Sequence, residues 1–106
     1  MDMINQERWF SFSLCEKMGH IGSEVTRARV WKNKNDSLSA NRCLERALDL
    51  IDLTKNDSSL KGRRREICYL REMVADQYAK RSEFNVSLES LEKYCLEFAV
   101  VARNQF

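Results

Sequence analysis

Residues able to do thiol, metal or acid–base chemistry are few and scattered along this chain. The only histidine is His20, and the four cysteines include no CxxC pair. Zinc sites normally use closely spaced cysteine or histidine pairs. A free cysteine inside a helix usually packs as a small apolar side chain, and we expect that here. A lesser alternative stays open, because Cys43, Cys68 and Cys95 could lie at a similar height on three helices.

The acidic residues do not indicate a particular reaction either. Glu45, Asp49 and Asp52 lie on one side of a predicted helix, without the Glu-x-x-His pattern of di-iron bundles. A solvated acidic face is the simpler interpretation. The chain also lacks a glycine-rich phosphate loop, a nucleophile elbow and a zinc-protease motif. The sequence therefore predicts a protein that is not an enzyme, with no catalytic residue, no cofactor and no metal ion.

The basic residues are more informative than the net charge of +2. Lys61, Arg63, Arg64 and Arg65 fall at the start of a predicted helix, where positive charge opposes the helix dipole. Neighbouring arginines also repel one another. A nucleic-acid phosphate would compensate, since an arginine fork matches it bidentately. The alternative is a solvated patch neutralised by nearby acids such as Asp57 and Glu66.

A second basic cluster comprises Arg27, Arg29, Lys32 and Lys34, at the end of the first predicted helix. The helix dipole favours cations at this position, so folding alone could explain them. In an antiparallel arrangement, Lys80 would lie near the same end. We therefore expect one basic zone at each end of the molecule, both as candidate nucleic-acid contacts.

Aromatic residues exceed what one buried stripe can hold. Trp9, Phe12 and Trp31 are candidates for an interface with a partner protein or a second copy, since tryptophan is a common interface anchor. Alternatively, Trp9 and Trp31 cover the two ends of the core.

Apolar side chains recur at helical spacing in four stretches. The predicted helices span residues 6–32, 38–54, 60–80 and from 86 or 88 to 103, with Asp36 or Ser37 and Ser87 as N-caps. The absence of proline and the three glycines argue against a sandwich or barrel. Short connections favour antiparallel neighbours. We therefore predict an all-α, antiparallel up-down-up-down four-helix bundle, forming a single domain over residues 1–106.

The first predicted helix has two stripes. Its predicted buried stripe contains Phe10, Leu14, Met18, Ile21, Val25 and Ala28. A seam of small residues beside it would let another backbone come close, and it contains Ser11, Cys15, Gly19, Gly22 and Thr26. The third predicted helix should bury Ile67, Leu70, Val74 and Tyr78.

The expected cellular location is based on the absence of leader and membrane-span patterns in the sequence. The start has no basic region followed by an apolar run, so no secretory leader is expected. No window approaches the roughly 18 apolar residues of a membrane span. We expect a cytoplasmic protein without a membrane partner.

Three runs carry a resemblance: ERWF at residues 7–10, IGSEV at 21–25 and RALDL at 46–50. They look like those of a group of uncharacterised short helical proteins from bacteria and their relatives. In size and expected fold the chain also resembles the four-helix accessory proteins of diversity-generating retroelements. Those are oligomeric and basic, and act with a reverse transcriptase and its RNA. The resemblance thus implies self-association and a nucleic-acid partner.

Helical ribonuclease domains of the HEPN group are similar in shape. Their late arginine–histidine motif is missing here, because Arg103 is followed only by Asn, Gln and Phe. Our leading hypothesis is a non-enzymatic, self-associating bundle that binds RNA or DNA, or a nucleic-acid enzyme, through basic patches. A protein-only adaptor that docks through exposed aromatics is the first alternative. A HEPN-like or metal/thiol enzyme is the second.

Overall fold

Five α-helices make up the part of the chain that the structure describes. A computed structural model describes the backbone of residues 6–57, 62–80 and 87–103, with side chains up to residue 100. The helices are α1 (Gln6–Ser11), α2 (Leu14–Asn33), α3 (Ser37–Lys55), α4 (Arg64–Ala79) and α5 (Leu88–Arg103). These ranges contain no β-strand, so the predicted all-helical class is confirmed.

The single helix predicted over residues 6–32 is wrong, because the chain breaks it at Phe12 and Ser13. Ser13 Oγ accepts a hydrogen bond from the Glu16 backbone N–H at 3.1 Å. The Glu16 carboxylate accepts one from the Ser13 N–H at 2.9 Å. This reciprocal capping box satisfies two backbone donors and begins α2 as a new helix. The short α1 then packs against α3.

The other helix starts follow the predicted caps more closely. Asp36 accepts from the Ser39 N–H at 3.0 Å, and Ser87 accepts from the Ser90 N–H at 3.1 Å, so both predicted N-caps are confirmed. α4 begins at Arg64 rather than at residue 60. It ends where Lys80 takes a left-handed conformation with φ of 57°, which stops the helical hydrogen-bond ladder.

The core lies between α2 and its neighbours. α2 packs extensively against both α3 and α5, α4 packs against α3, and α4 and α5 share only a small contact. The largest fully buried apolar side chains come from all five helices and are Trp9, Met18, Ile21, Ile51, Ile67, Leu70 and Leu91. Two predicted core residues are corrected, because Phe10 is 40% exposed and Tyr78 is 37% exposed.

The predicted small-residue seam does permit a close approach, at one glycine. A Cβ added to Gly22 would lie 3.2 Å from Cβ of Cys95 on α5, which is tighter than ordinary van der Waals contact. A Cβ added to Gly19 would meet nothing within 4 Å. The seam therefore brings α2 and α5 together at Gly22.

A buried lysine ties the α1–α2 break to the end of α3. Lys17 is only 2% exposed. Its Nζ donates to the Phe12 carbonyl at 2.7 Å and to Asp57 Oδ2 at 2.9 Å. Burying an ammonium group is costly unless it is paired and hydrogen-bonded, and both conditions are met here.

Among the helices of the described ranges, none has the length and apolar character needed to cross a membrane.

Candidate nucleic-acid interface

Three consecutive arginines occupy the start of α4, as the sequence predicted. Arg63 is the N-cap residue, and Arg64 and Arg65 are the first two residues of the helix. The N-cap makes no side-chain hydrogen bond to the helix. A 3₁₀ turn at residues 62–63 leads directly into α4. The positive charges thus lie at the start of a helix, where the dipole disfavours them. Lys61, the fourth predicted member, lies outside the described residues.

The arginines differ in their partners. Arg63 Nη1 lies 3.8 Å from Glu66 Oε1, a long ion pair at i,i+3. Arg64 and Arg65 are exposed and form no ion pair with any residue that the structure describes. Neutralisation by nearby acids was the simpler alternative. Within the described ranges it applies only partly to Arg63 and does not apply to Arg64 or Arg65.

The second basic cluster is partly engaged within the fold. Arg29 Nε donates to Glu92 Oε1 on α5 at 3.0 Å, so Arg29 ties α2 to α5. Arg27 Nη1 lies 3.3 Å from the buried carboxylate of Glu24, although its side chain is 59% exposed. Of these two predicted nucleic-acid contacts, Arg29 is the less able to reach a phosphate.

Lys32 and Lys34 remain exposed at the end of α2. Lys32 and Lys80 line one groove of about 580 Å³, so the two basic helix ends come together as the sequence predicted. Lys34 Nζ lies 5.3 Å from the centre of the Trp31 ring, a cation–π contact.

The two basic zones lie at opposite ends of α4. Arg64 begins this helix and Lys80 follows its end. A helix of 16 residues with a rise of ~1.5 Å per residue is about 24 Å long. A short ligand can therefore contact only one zone, and a nucleic-acid strand is long enough to contact both.

The predicted interface aromatics have different surroundings. Trp9 is 0% exposed and its Nε1 donates to Thr54 Oγ1 at 3.0 Å, so the expectation of an exposed interface residue is wrong for Trp9. Phe12 is half-buried and stacks on His20, with ring centroids 5.0 Å apart. Trp31 keeps 38% of its surface exposed.

The sulfur and imidazole groups do not converge within the described ranges. Cys43 and Cys95 are buried, Cys15 is half-buried and Cys68 is exposed. Burial raises the pKa of Cys95 to about 12 and also raises the pKa of Cys43. No group of three or more His, Cys, Asp or Glu side chains in the described residues is arranged to hold a metal ion.

The acidic face of α3 serves partly to hold α4. Glu45 accepts a hydrogen bond from the Tyr78 hydroxyl at 2.7 Å, and Asp52 accepts one from Arg71 Nε at 2.6 Å. Asp49, the third member, is exposed. These ties give two of the three acids a structural role.

Sequence reasoning missed a shallow slot beside the arginines. It has a volume of about 220 Å³ between α4 and α5 and is lined by Arg63, Glu66, Tyr94, Glu97 and Phe98. We refer to it as the α4–α5 slot. It exists because α4 and α5 share only a small contact. The aromatic residues Tyr94 and Phe98, four positions apart on α5, are the signal in the sequence that could have found it.

No protein-family model matches this chain, and no curated protein or solved structure matches it either.

The contact between α2 and α5 predicts a pH dependence of stability. Hydrogen bonds from Thr26 and then Arg29 hold the pKa of Glu92 below its ordinary value of 4.5. A carboxylate with a lowered pKa in the folded state stabilises it fully above the ordinary pKa. That contribution disappears as the pH falls through the folded-state pKa.

We therefore expect Glu92→Gln to cost about 0.5–1 kcal/mol of unfolding free energy at pH 7, as for other partly exposed ion pairs. The cost should be smaller at pH 3, because the contribution of Glu92 is lost as the pH falls through its lowered pKa. Urea unfolding at both pH values measures it, with Glu89→Gln, one turn earlier on α5, as the matched control. A cost that is equal at pH 3 and pH 7 would contradict the assignment.

Proposed function

We propose that this protein is a non-enzymatic, self-associating bundle of the cytoplasm that binds nucleic acid, or a nucleic-acid enzyme with its RNA, through the start of α4. One observation carries the proposal. Arg64 and Arg65 are exposed, form no ion pair with a described residue, and sit where their charge opposes the helix dipole. Such an arrangement lowers stability in isolation and becomes favourable when an anion binds.

Phosphate fits this place better than other anions. The first-turn N–H groups of α4 lack a side-chain cap, and N–H groups at a helix start bind phosphate oxygens. Arginine adds bidentate, charge-assisted hydrogen bonds to the same oxygens. A polyanion would also reach the second basic zone about 24 Å away along α4, where Lys32 and Lys80 share a groove.

Alternating helix directions support an antiparallel four-helix arrangement of α2 to α5. The ends of α2 and α4 and the starts of α3 and α5 line one groove through Lys32, Lys80, Ser37 and Leu88. Self-association is supported by exposed apolar side chains on α5, because Leu96 is 66% and Val100 is 49% exposed. Light scattering of the purified protein tests it. The resemblance to retroelement accessory proteins suggests one setting, a complex with a reverse transcriptase.

The arginine pair can be tested by binding of labelled RNA at several salt concentrations. We expect Arg64→Ala/Arg65→Ala to weaken binding at least about tenfold, because two charge-assisted contacts are lost. The slope of log affinity against log salt should become shallower by about 0.7 to 0.9 for each lost phosphate contact.

Arg8→Ala is the control, since Arg8 is an exposed arginine on α1 that belongs to neither basic cluster. It should change affinity little. Equal loss in the control, or unchanged binding in the double variant, would remove the proposal.

A protein-only adaptor is the second candidate. It is favoured by the exposure of Trp31 and Phe10, at 38% and 40%. In that case binding to the partner would be insensitive to salt and would be lost in Trp31→Ala. Trp9 does not contribute, because its ring is inside the core.

A further inference from the structure

An aromatic series runs from the surface of α4 into the α4–α5 slot. Tyr69 is 49% exposed and its ring meets that of Tyr94 edge to face, with centroids 6.2 Å apart. Tyr94 in turn meets Phe98 at 6.2 Å and 89°. Tyr94 and Phe98 line the slot, so the half-exposed ring of Tyr69 and the slot form one continuous aromatic surface.

The arginines lie beside this surface. Arg63 lines the slot itself, together with the carboxylates of Glu66 and Glu97, so the positive charge that faces a phosphate is at the slot's edge, on Arg64 and Arg65. Arg65 and Tyr69 are four residues apart on α4, so their side chains are neighbours on one helix face. Positive charge interleaved with accessible aromatic rings is the arrangement with which proteins hold single-stranded nucleic acid, because cations follow the backbone while bases stack on the rings.

One carboxylate that lines the slot has an oxygen without a donor. The Glu66 side chain is 45% exposed and its Oε1 lies 3.8 Å from Arg63 Nη1, whereas its Oε2 is buried and has no hydrogen-bond partner among the residues that the structure describes. A buried oxygen in that state costs free energy until a donor reaches it. The exocyclic amino group of a nucleobase is such a donor, and carboxylates accept from the N4 amino group of cytosine.

We propose that the α4–α5 slot receives one unpaired, amino-bearing base of a single-stranded nucleic acid, while a neighbouring base stacks on Tyr69 and the phosphates lie on Arg64 and Arg65. This rests on the proposed function and names its substrate class. A space of about 220 Å³ suits one planar ring and lies below the roughly 300–1,000 Å³ of pockets for drug-sized ligands. Paired bases in a duplex cannot leave the stack to enter it without an unpairing cost.

The first test compares a fluorescein-labelled 12-nucleotide oligocytidine with an RNA duplex of equal length. We expect the single strand to bind more tightly. Tyr69→Ala should weaken binding of the single strand about tenfold, within the range for loss of one stacked base. Tyr69→Phe should retain it, because the ring is kept. Tyr69 is half-exposed, so both variants should fold.

Tyr78→Ala is the matched control. Tyr78 is also on α4 and is 37% exposed, and it lies nine residues further along the helix. We expect it to leave binding of the single strand unchanged.

The second test compares oligocytidine with oligouridine, which lacks the amino group. Wild-type protein should prefer cytidine several-fold, and Glu66→Gln should reduce that ratio toward one. Because both strands carry the same phosphates, the loss of a negative charge in the variant cancels in the ratio.

The outcomes separate this inference from the proposed function. If the duplex binds as tightly as the single strand and Tyr69→Ala has no effect, the inference is overturned, while an affinity dependent on Arg64 and Arg65 would keep the proposed function. If neither nucleic acid binds, both fail. A preference for cytidine that persists unchanged in Glu66→Gln overturns the assignment of the slot.

Discussion

Trp9→Ala is expected to lower the free energy of unfolding by about 3–5 kcal/mol, the range for removing a large buried aromatic side chain. Trp9 is 0% exposed, and its ring lies 5.8 Å from those of Phe12 and His20. The substitution also removes the hydrogen bond to Thr54 Oγ1. Because Trp9 is the buried residue of the short α1, we expect this helix to detach from α3.

Urea unfolding gives the loss directly, and amide hydrogen exchange in residues 6–11 shows the detachment. Trp9→Phe should cost less than Trp9→Ala, because phenylalanine keeps an aromatic ring in the core. Losing the hydrogen bond should cost about 1 kcal/mol, in addition to the cost of burying a smaller ring. Trp31→Ala is the matched control on a tryptophan that is 38% exposed. A loss below about 1 kcal/mol for Trp9→Ala would show that α1 is not part of the core.

Lys17→Met is expected to destabilise the fold by about 3–5 kcal/mol, although methionine fills nearly the same volume. Removing one partner of a buried ion pair leaves the other charge poorly compensated. Here the Asp57 side chain is 11% exposed and would lose its contact with Lys17. The Phe12 carbonyl would also lose its donor at the break between α1 and α2.

The double variant Lys17→Met/Asp57→Asn separates charge from packing. It should recover a large part of the loss, because Asp57→Asn removes the negative charge that Lys17 Nζ contacts at 2.9 Å. Lys93→Met is the comparison for an exposed pair, since Lys93 and Glu97 lie 3.9 Å apart with side chains 77% and 63% exposed. It should cost less than about 1 kcal/mol. Similar losses for Lys17→Met and Lys93→Met would contradict the account of the buried pair.

The break at Ser13 shows why one helix was predicted where there are two. Apolar spacing continues across residues 10–28, so periodicity alone favours an unbroken helix. The capping box of Ser13 and Glu16 is present in the sequence as a signal of a helix start, and it was overlooked. Because the helix breaks at Ser13, the residues of α1 no longer face the same way as they would in one continuous helix with α2. Trp9 then turns inward and Phe10 outward, the reverse of the predicted pattern.

The candidate site was partly predictable. The arginine cluster and its position at a helix start could be predicted, because both depend on local residue types and caps. The partner of Arg29 could not, since Glu92 accepts from Arg29 and from Thr26 only when α2 and α5 pack. The α4–α5 slot could not be predicted either, because it depends on the small size of the contact between α4 and α5. Tertiary packing therefore decides which arginines remain available.

The most direct measurement of the central claim is a map of backbone amide chemical shifts during titration with the 12-nucleotide oligocytidine. We expect the largest changes at residues 63–69, around the start of α4, and at residues 94–98 of α5. Smaller changes are expected near Lys32 and Lys34. If the largest changes instead surround Trp31, or if no amide moves at a strand concentration that saturates other single-strand binders, then the start of α4 is not a nucleic-acid site.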